Sequence, residues 1–503
     1  MNVRKRVFMS SFLLGIDIGT SACKVTLFDL IGNVIANATE NYPIFRPRPG
    51  FVEQNPDDWW NAVCKAVKSL LANSGISPGD IEGIGIDGQG WSAIPLGADG
   101  TVLGNTPIWL DTRATDICSE LDTKIGGQSI FNLCGNPLSP SYTQPKIQWF
   151  QKHQPELYKR IDKILQSNSY IAYRFTGEIT QDISQSYGYF FFDMRKGTYD
   201  ESMAREMGID MSMLPPIVPC SEIVGKVTGE AAKKSGLCEG TPVAAGGLDA
   251  ACGTLGVGVI KPGQTQEQGG QAGGMSICLD KYYTDKNLIM GFHVAPDKWL
   301  LQGGSVGGGG TLKWLKESIF PDLSFEQMNT LAESVSPGAE GLIFLPYMSG
   351  ERSPIWNPNA KGVFYGLDYT KTRAHMVRAV MEGVAFSLRH NIETAENAGA
   401  ELTVLSSMGG SSNSLVWTQL KSDITAKPIV VPSSDTATTL GAAILAGIGV
   451  GAWSSFEDTV TQTVKITREH KPNKNNQKIY DAQYKTYREI YENLKDIMGV
   501  KNL

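Results

Sequence analysis

The sequence predicts an α/β protein with two or three domains. A chain of 503 residues is too long for one ordinary hydrophobic core. Its first half alternates strand-like and helix-like segments, and its second half adds glycine clusters between strand-like residues. A composition of 41% hydrophobic and 19% charged residues is typical of a folded globular protein.

Composition also limits the classes of partner and site. The formal net charge is −6 and no dense block of lysine and arginine occurs, which does not support a nucleic-acid partner. The eight cysteines form no C-x-x-C pair and several lie in apolar runs, which predicts reduced thiols in a cytoplasmic protein. The five histidines are scattered without metal-binding spacing, so the sequence predicts no structural zinc site.

Two apolar segments could be mistaken for membrane-directed sequences. Arg4-Lys5-Arg6 and the largely apolar run after it imitate a signal peptide, but no A-x-A cleavage site follows. We interpret them as a short extension that leads into the first strand. Residues 440–453 carry no polar side chain, but this run is too short to span a bilayer and indicates a buried helix. The sequence therefore predicts no membrane partner.

The first candidate site lies where the opening strand ends. Residues 13–17 read as a buried strand, and Gly19-Thr20-Ser21 forms a turn into a second and then a third strand. An isolated carboxylate is costly to bury unless a cation or hydrogen-bond donors meet it. A Mg²⁺–phosphate complex would meet Asp17 in this way, with the amides and hydroxyls of the turn facing phosphate. A capped hairpin without a ligand is the alternative that this segment leaves open.

Helices and further strands have clear signals. Apolar residues recur at helical spacing over residues 57–71, 372–397 and 477–498. Residues 81–87 and 94–96 are strand-like. Residues 83–88 match G-x-G-x-x-G, but these glycines lie within a strand that no helix follows, so we do not interpret them as a dinucleotide motif.

Glycine density rises sharply beyond a proline-containing loop. Pro215, Pro216 and Pro219 precede Gly240-Thr241-Pro242, and a boundary near residue 245 gives domains at 1–245 and 246–503. The glycines that follow are interleaved with apolar residues and lack the serine tracts of flexible linkers. Close approach of backbone to a ligand is the better interpretation of them.

Six segments together resemble the FGGY carbohydrate kinases of the actin/Hsp70/sugar-kinase superfamily. Each is weak alone, but their order and spacing cover nearly the whole chain and are highly specific. They are residues 17–21, 109–113, 246–253, 345–354, 409–413 and 440–443. Within the family, the likeness is closest to xylulokinases and xylulokinase-like proteins.

The resemblance implies an α/β fold of two RNase H-like domains, each with a βββαβαβα core, that flank a cleft for ATP and sugar. It implies that Asp249 is the catalytic base for a sugar hydroxyl and that Asp17 acts through Mg²⁺. The positions that it places near ATP are Thr20, Ser21, Lys24, Gly270, Gln271, Gly309, Gly310, Gly409, Gly410 and Asn413, with Gln419 as a further candidate. The positions that it places near the sugar are Gln89, Gly90, Trp91, Asp111 and Asp249.

The implied reaction is ATP-dependent phosphorylation of a sugar hydroxyl, with Mg-ATP held by two glycine-rich loops. D-xylulose, converted to D-xylulose 5-phosphate, is the first expectation. Ribulose, erythritol, glycerol and gluconate stay open as acceptors, and a nucleotide-driven conformational protein of the actin or Hsp70 kind is the alternative from another class. The family likeness also suggests a homodimer.

Three departures from the family pattern bear on the sugar and the second phosphate loop. Gln89-Gly90-Trp91 stands where many xylulokinases carry Met-His-Gly, and Ala250 follows Asp249 where Asn or Gln is common. Residues 270–273 read Gly-Gln-Ala-Gly where Gly-Thr-Ser-Gly is frequent. The first two departures leave the identity of the sugar open, because polar groups of a pocket discriminate strongly between hydroxyl patterns.

Several candidates also have structural alternatives. Asp249 could cap a turn or helix, and Trp91 could be a core residue. Asp111 and Arg113 could form an ion pair between domains instead of binding sugar hydroxyls. We expect Glu351, with the arginine after it, to belong to a structural network and not to the chemistry.

Overall fold

The structure is a computed structural model that describes residues 11–433 and 436–499. The predicted extension over residues 1–10 lies outside the described residues. The chain divides into two compact units. The first unit comprises residues 1–260, 291–299 and 436–464, and the second comprises 261–290, 300–435 and 465–503.

The first unit is built on a mixed sheet of seven strands, accompanied by short two-stranded pairs. The strands up to residue 260 are β1 (Phe12–Ile18), β2 (Ala22–Asp29), β3 (Val34–Asn41), β4 (Glu53–Gln54), β5 (Ile81–Gly88), β6 (Ile94–Leu96), β7 (Thr106–Pro107), β8 (Lys163–Leu165), β9 (Gln181–Asp182), β10 (Phe192–Asp193), β11 (Thr198–Tyr199), β12 (Ile217–Val218), β13 (Ile223–Lys226), β14 (Pro242–Ala244) and β15 (Gly247–Leu248). The sheet order is β13-β14-β5-β1-β2-β3, with β15 paired to β5. β1 is antiparallel to β2 and parallel to β5, so the predicted opening strands are confirmed.

A second seven-stranded sheet repeats this arrangement. The remaining strands are β16 (Gln264–Gly269), β17 (Gly273–Leu279), β18 (Ile289–Phe292), β19 (Trp299–Ser305), β20 (Ile343–Pro346), β21 (Gly362–Tyr365), β22 (Val404–Met408), β23 (Ile429–Pro432) and β24 (Ile466–His470). The sheet order is β18-β19-β17-β16-β22-β23-β24. β16 is antiparallel to β17 and parallel to β22, as β1 is to β2 and β5. The two sheets thus share the order of an RNase H-like core, and the predicted fold class is confirmed.

Sixteen α-helices occur within residues 11–433 and 436–499. They are α1 (Pro56–Ser74), α2 (Thr115–Lys124), α3 (Gly127–Cys134), α4 (Thr143–His153), α5 (Pro155–Tyr158), α6 (Ser167–Thr176), α7 (Glu201–Met207), α8 (Gly229–Ser235), α9 (Asp249–Gly256), α10 (Gly309–Trp314), α11 (Phe325–Glu333), α12 (Arg373–Asn397), α13 (Leu415–Thr425), α14 (Ala437–Gly449), α15 (Phe456–Thr463) and α16 (Gln477–Met498). In that part of the chain, no helix is both long and apolar enough to cross a bilayer.

Local sequence signals set the ends of α1. The side chain of Asn55 accepts a hydrogen bond from the Asp57 N–H, Pro56 stands at the first helical position, and Gly75 ends the helix with a φ of 67°. The apolar face of α1 packs into the core of the first unit. The three helices predicted from periodicity are confirmed as α1, α12 and α16.

α14 packs against β1, β5 and α9 through glycines, although it comes from far along the chain. A Cβ on Gly15 would lie 2.0 Å from the Thr439 carbonyl oxygen, and one on Gly85 would lie 1.8 Å from the carbonyl oxygen of Ala442. The glycines of residues 83–88 therefore serve helix packing, in agreement with our rejection of a dinucleotide motif. The predicted buried helix over residues 440–453 is α14, which begins three residues earlier and ends at Gly449.

The compact units differ in extent from the domain limits that we predicted. Residues 246–260, 291–299 and 436–464 group with the first unit. Pairing of β15 with β5 and packing of α9 against α14 account for the first and last of these segments. The limits 1–245 and 246–503 stay a prediction about the family's domains.

Candidate active site

Asp17, the carboxylate that the sequence singles out, is the penultimate residue of β1. Asp17 is 4% exposed and stands opposite Lys24 of β2 and Asp87 of β5 in the strand register. Lys24 Nζ lies 3.7 Å from Asp17 Oδ2, and Thr438 Oγ1 donates a hydrogen bond to the same oxygen at 3.1 Å. Burial raises the pKa of Asp17, and the charge of Lys24 partly offsets that rise.

Asp87 is a second strand-end carboxyl, which the sequence analysis did not select. It is fully buried, and no N–H or O–H group among the described residues donates to either of its oxygens. Burial raises its pKa well above the usual range, and the charges of Asp17 and Asp249 raise it further. The signal was available, because Asp87 ends an apolar strand just as Asp17 does.

Asp249 begins α9, directly after β15. The pairing of β15 with β5 sets Gly247 opposite Asp87. The Ala250 N–H donates a hydrogen bond to Asp249 Oδ1 at 2.6 Å. Burial, together with the charge of Asp17, raises the pKa of Asp249 to about 7. A carboxyl with this pKa can accept a proton near neutral pH and release it again.

The strand-end carboxyls (Asp17, Asp87 and Asp249) match a partial cation site. Within residues 11–433 and 436–499, no three His, Cys, Asp or Glu side chains form a complete metal-ligand group. Mg²⁺ is usually bound by one or two carboxylates together with phosphate oxygens and water. Asp17, with the carboxyl of Asp87 beside it, is a donor set of that kind.

Internal hydrogen bonds hold the turn after β1. Thr20 Oγ1 accepts a hydrogen bond from Trp109 Nε1 at 2.9 Å, and Gln54 Nε2 donates to the Thr20 carbonyl oxygen at 2.9 Å. The Gly19 N–H closes the turn onto the Ala22 carbonyl oxygen at 3.1 Å. Ser21 and Lys24 are exposed, so their side chains are accessible to a ligand while the backbone of the turn is fixed.

The sugar loop (Gln89, Gly90 and Trp91) follows β5. Trp91 adopts a left-handed backbone conformation with a φ of 60°, and its N–H donates to Gln166 Oε1 at 3.0 Å. Its half-buried ring meets Tyr142 and Tyr187 edge-on, with centroid distances of 4.5 and 5.6 Å. Trp91 thus lies in an aromatic cluster whose two tyrosines the sequence analysis missed, because they are distant in sequence and carry no motif.

Two buried polar side chains link the sugar loop to its surroundings. Gln89 Nε2 donates to Gln54 Oε1 at 2.7 Å, and Gln54 Nε2 in turn donates to the Thr20 carbonyl oxygen in the predicted phosphate turn (residues 19–21). Lys146 is fully buried and donates to the carbonyl oxygens of Trp91 and Ile108, each at 2.8 Å. Burial lowers the pKa of Lys146 to about 7. Sequence alone did not reveal Lys146, since a lone lysine in a helix normally reads as exposed.

Asp111 is fully buried in an ion pair. Arg113 donates to its carboxylate from Nε at 2.9 Å and from Nη2 at 2.7 Å, and the Val52 N–H donates at 2.6 Å. Asp111 and Arg113 thus form an ion pair, but both lie inside the first unit, so the expected alternative of an ion pair between domains is wrong. A contact between Asp111 and the sugar stays a prediction.

In the second unit, glycine loops contact one another through their backbones. The N–H groups of Gly309 and Gly310 donate to the carbonyl oxygens of Gly270 and Gln271, at 2.7 and 3.0 Å. Gly409 has a φ of 87°, and a Cβ there would lie 2.9 Å from the backbone nitrogen of Gly270. The close approach that we predicted for these glycines is thus, in this structure, an approach of backbone to backbone.

Glu267 of β16 corresponds in position to Asp17 of β1, because each lies two residues before a glycine and pairs with the penultimate residue of the neighbouring parallel strand. Lys421 Nζ donates to Glu267 Oε1 at 2.7 Å, and Ser407 Oγ donates to Oε2. All three side chains are buried. Glu267 is therefore neutralised by a lysine of the chain itself, whereas Lys24, the cation beside Asp17, is exposed and more distant.

The remaining candidates of the second unit are Asn413, Gln419 and Glu351. Asn413 is exposed at the end of a short 3-10 segment, Gly410–Asn413. The amide of Gln419 already donates to Asp423 Oδ1 at 2.7 Å and to the Lys471 carbonyl oxygen at 2.9 Å. Glu351 accepts hydrogen bonds at 2.6 Å from Ser305 Oγ and from the Val306 N–H, so its predicted structural network is confirmed.

Known carbohydrate kinases are similar to this chain over nearly its whole length. A xylulose kinase of Bacillus subtilis strain 168 is 32% identical over 488 residues, which cover 97% of this chain and 98% of that protein. The crystal structure of a xylulose kinase from Rhodospirillum rubrum, 28% identical, superposes with a TM-score of 0.90 and covers 97% of this chain and 100% of that one. A gluconokinase of Bacillus subtilis strain 168 is 29% identical over 502 residues, 97% of this chain and 96% of that protein.

Two family domains account for most of the sequence. Residues 12–256 match the N-terminal domain of the FGGY family of carbohydrate kinases, and residues 282–450 match its C-terminal domain. Such kinases transfer a phosphoryl group from ATP to a sugar, which needs a base for the hydroxyl and a site for phosphate charge. The strand-end carboxyls and the phosphate turn lie within the first matched domain. The chain belongs to the FGGY family of carbohydrate kinases.

Proposed function

We propose that this kinase phosphorylates a ketopentose, and that conversion of D-xylulose to D-xylulose 5-phosphate is its reaction. Relatives named xylulose kinase match nearly the whole chain in sequence and in structure, which supports this choice. The observation that carries the proposed mechanism is Asp249, a carboxyl with a pKa raised to about 7 beside two further strand-end carboxyls.

Asp249 is the general base of the proposed reaction. It takes the proton from a sugar hydroxyl as that oxygen forms its bond to the γ-phosphorus of ATP. The bond from the γ-phosphorus to the bridging oxygen breaks, and ADP leaves with that electron pair. A base whose pKa is near the operating pH typically contributes about 10²–10⁴ in rate.

Asp17 is the proposed metal ligand. When bound, Mg²⁺ would supply positive charge to the phosphate oxygens. Asp17 suits this role because the cation beside it, Lys24, is exposed and 3.7 Å away, and Thr438 adds one hydrogen bond. The corresponding Glu267 has a buried lysine of its own. Asp87 lies in register with Asp17, and we propose it as a second oxygen donor.

The proposed ATP contacts are the residues that the family resemblance places near ATP. In the first unit they are the phosphate-turn residues Thr20 and Ser21, with Lys24. In the second unit they are Gly270, Gln271, Gly309, Gly310, Gly409, Gly410 and Asn413. Because the N–H groups of Gly309 and Gly310 already donate to carbonyl oxygens, we propose that these two glycines act by letting the loops pack closely and not as phosphate donors.

The proposed sugar contacts are Gln89, Gly90, Trp91 and Asp111, together with Asp249. The half-buried face of Trp91 gives an apolar wall against which the carbon skeleton of a sugar can pack. Asp111 would act through its fixed position, since Arg113 and Val52 already occupy its oxygens.

The central test compares Asp249→Asn with the unchanged enzyme in a coupled assay for ADP release with D-xylulose. We expect turnover to fall by about 10²–10⁴ while calorimetry still detects ATP binding. Asp99→Asn, which alters an exposed loop aspartate, is the matched control and should keep full activity. Near-normal turnover of Asp249→Asn would exclude the base assignment.

A gluconate kinase is the second candidate, because the gluconokinase relative covers almost the same length at similar identity. An acceptor panel of D-xylulose, L-xylulose, D-ribulose, L-ribulose, erythritol, glycerol and gluconate separates the two. The highest kcat/KM should be for D-xylulose, and a preference for gluconate would replace our proposal. ATP turnover indifferent to every acceptor would indicate a conformational ATPase.

We also propose a homodimer in the cytoplasm. None of the eight cysteines forms a disulfide, which agrees with a reducing compartment. Light scattering measures the oligomeric state directly, and a monomer mass across a range of concentrations would exclude the dimer.

A further inference from the structure

Asp182 is a buried carboxylate that is not among the proposed catalytic and binding residues. Its hydrogen bonds lead toward both the base and the sugar loop. We propose that Asp182 is a positioning residue, which holds the catalytic segment (residues 245–249) and the sugar loop in one fixed arrangement. This inference rests on the proposed function, because it gives Asp182 its role through the base and through the acceptor loop. All groups involved lie in the first unit.

Asp182 has an unusually complete set of donors. Ser184 Oγ and the Gln185 N–H donate to Oδ1, at 2.5 and 3.1 Å. Asn168 Nδ2 and Gln181 Nε2 donate to Oδ2, each at 2.9 Å. The residue is 1% exposed. The Cys220 thiol is a further, weak donor to Oδ1 at 3.9 Å, so hydrogen bonds from five residues compensate the buried carboxylate.

The first route from Asp182 leads to the base. Ser184 Oγ donates to Asp182 and accepts a hydrogen bond from the Leu248 N–H at 2.8 Å. Asn168 Nδ2, which also bonds Asp182, donates to the Ala245 carbonyl oxygen at 3.2 Å. Both ends of the catalytic segment are thus tied to one carboxylate, and Asp249 is the next residue after Leu248.

The second route leads to the sugar loop. Asp182 caps the 3-10 segment Ile183–Gly188 by accepting from the Gln185 N–H. The side chain of Gln185 donates to the carbonyl oxygens of Gly88 and Gln89, at 3.2 and 3.4 Å. Its Oε1 accepts from the Trp91 N–H at 3.3 Å. The cap therefore sets where Gln185 meets the backbone of the loop.

Both routes start at Asp182, but each continues through a different side chain, so mutations can separate them. Ser184 serves the base, and Gln185 serves the loop. Loss of a partner leaves a buried group unsatisfied. If Asp182 positions the reacting groups, mutations in the two routes should have different kinetic effects. If Asp182 only stabilises the fold, both mutations should lower the stability of the protein.

The experiment measures kcat and sugar KM for Ser184→Ala and Gln185→Met, with thermal unfolding of each. Cys220→Ala is the matched control, because its thiol donates a weak hydrogen bond to Asp182 Oδ1 at 3.9 Å and belongs to neither route. We expect Ser184→Ala to lower kcat by about 10–100-fold with sugar KM within about twofold. We expect Gln185→Met to raise sugar KM about tenfold with a smaller change in kcat.

The difference between the effects on kcat and on sugar KM decides whether Asp182 has a positioning role. If both variants change kcat and KM alike, or only lower the unfolding temperature as Cys220→Ala does, the positioning role is wrong. If Ser184→Ala does not fold, Ser184→Cys keeps a weak acceptor at the same place and is measured in its stead. If the enzyme without mutations phosphorylates another sugar, the variants are tested with that sugar. If it phosphorylates no sugar, the proposed function itself is wrong.

Discussion

At the scale of residues, four acidic side chains at strand ends show how surroundings assign roles. Asp17, Asp87 and Asp249 are desolvated without a buried cation, so their pKa values are raised. Glu267, at the corresponding place of the second sheet, has Lys421 at 2.7 Å. The chain thus neutralises one of these two corresponding carboxylates with a buried lysine and leaves the other without a buried cation.

The pKa of Asp249 leads to a prediction about pH. The base must be ionised to accept a proton, and its pKa is about 7, so kcat/KM should rise with pH through that value and then level off. A profile between about pH 5.5 and 9 with excess coupling enzyme tests this. The residual activity of Asp249→Asn should lack the rise. A profile of the unchanged enzyme that is flat from pH 6 upward would contradict the assignment.

At the scale of elements, the packing of α14 on β5 depends on the absence of a side chain. A Cβ on Gly85 would lie 1.8 Å from a carbonyl oxygen of α14, too close for any small adjustment. This approach brings Thr438, at the start of the same helix, to Asp17. The glycines of β5 therefore matter to the site through the helix that they admit.

Gly85→Ala should lower the free energy of unfolding by about 2–4 kcal/mol, because helix and strand must separate to admit the methyl group. Gly104→Ala is the control, since a Cβ there would make only an ordinary contact, 3.8 Å from the side chain of Leu157. Urea denaturation of both variants measures the difference. Equal stability of the two would show that α14 does not pack as described.

At the scale of the whole molecule, the first unit is assembled from distant parts of the chain. The sheet comes from its first half, but α14, which covers β1 and β5, arrives only after residue 435. The apolar faces of those strands would be exposed without it. The first unit is therefore not complete when its sheet has been synthesised.

Residues 1–260 expressed alone should not fold cooperatively, since they lack α14. Circular dichroism during heating should show no sharp transition, whereas the full chain should show one. Full-length chain cleaved after purification is the control for the loss of covalent continuity. A cooperative transition of the fragment near that of the full chain would contradict this view.

Much of the fold could be predicted from the sequence, because periodicity and turn residues act locally. The strands around Asp17, the helices α1, α12 and α16 and the buried helix α14 all follow from patterns within short windows. The family could also be predicted, since its motifs are short segments in a set order. Asp87 was missed although it obeys the rule that selected Asp17.

The sequence by itself determined the two RNase H-like cores, the family and the candidate carboxylates Asp17 and Asp249. Only the tertiary structure decided which polar groups surround them: the register partner Asp87, the buried Lys146, the tyrosines beside Trp91 and the donors around Asp182. The physical reason is that burial and hydrogen bonding depend on contacts between residues far apart in the chain. Local patterns encode strands and helices, but they do not encode which side chain compensates a buried charge.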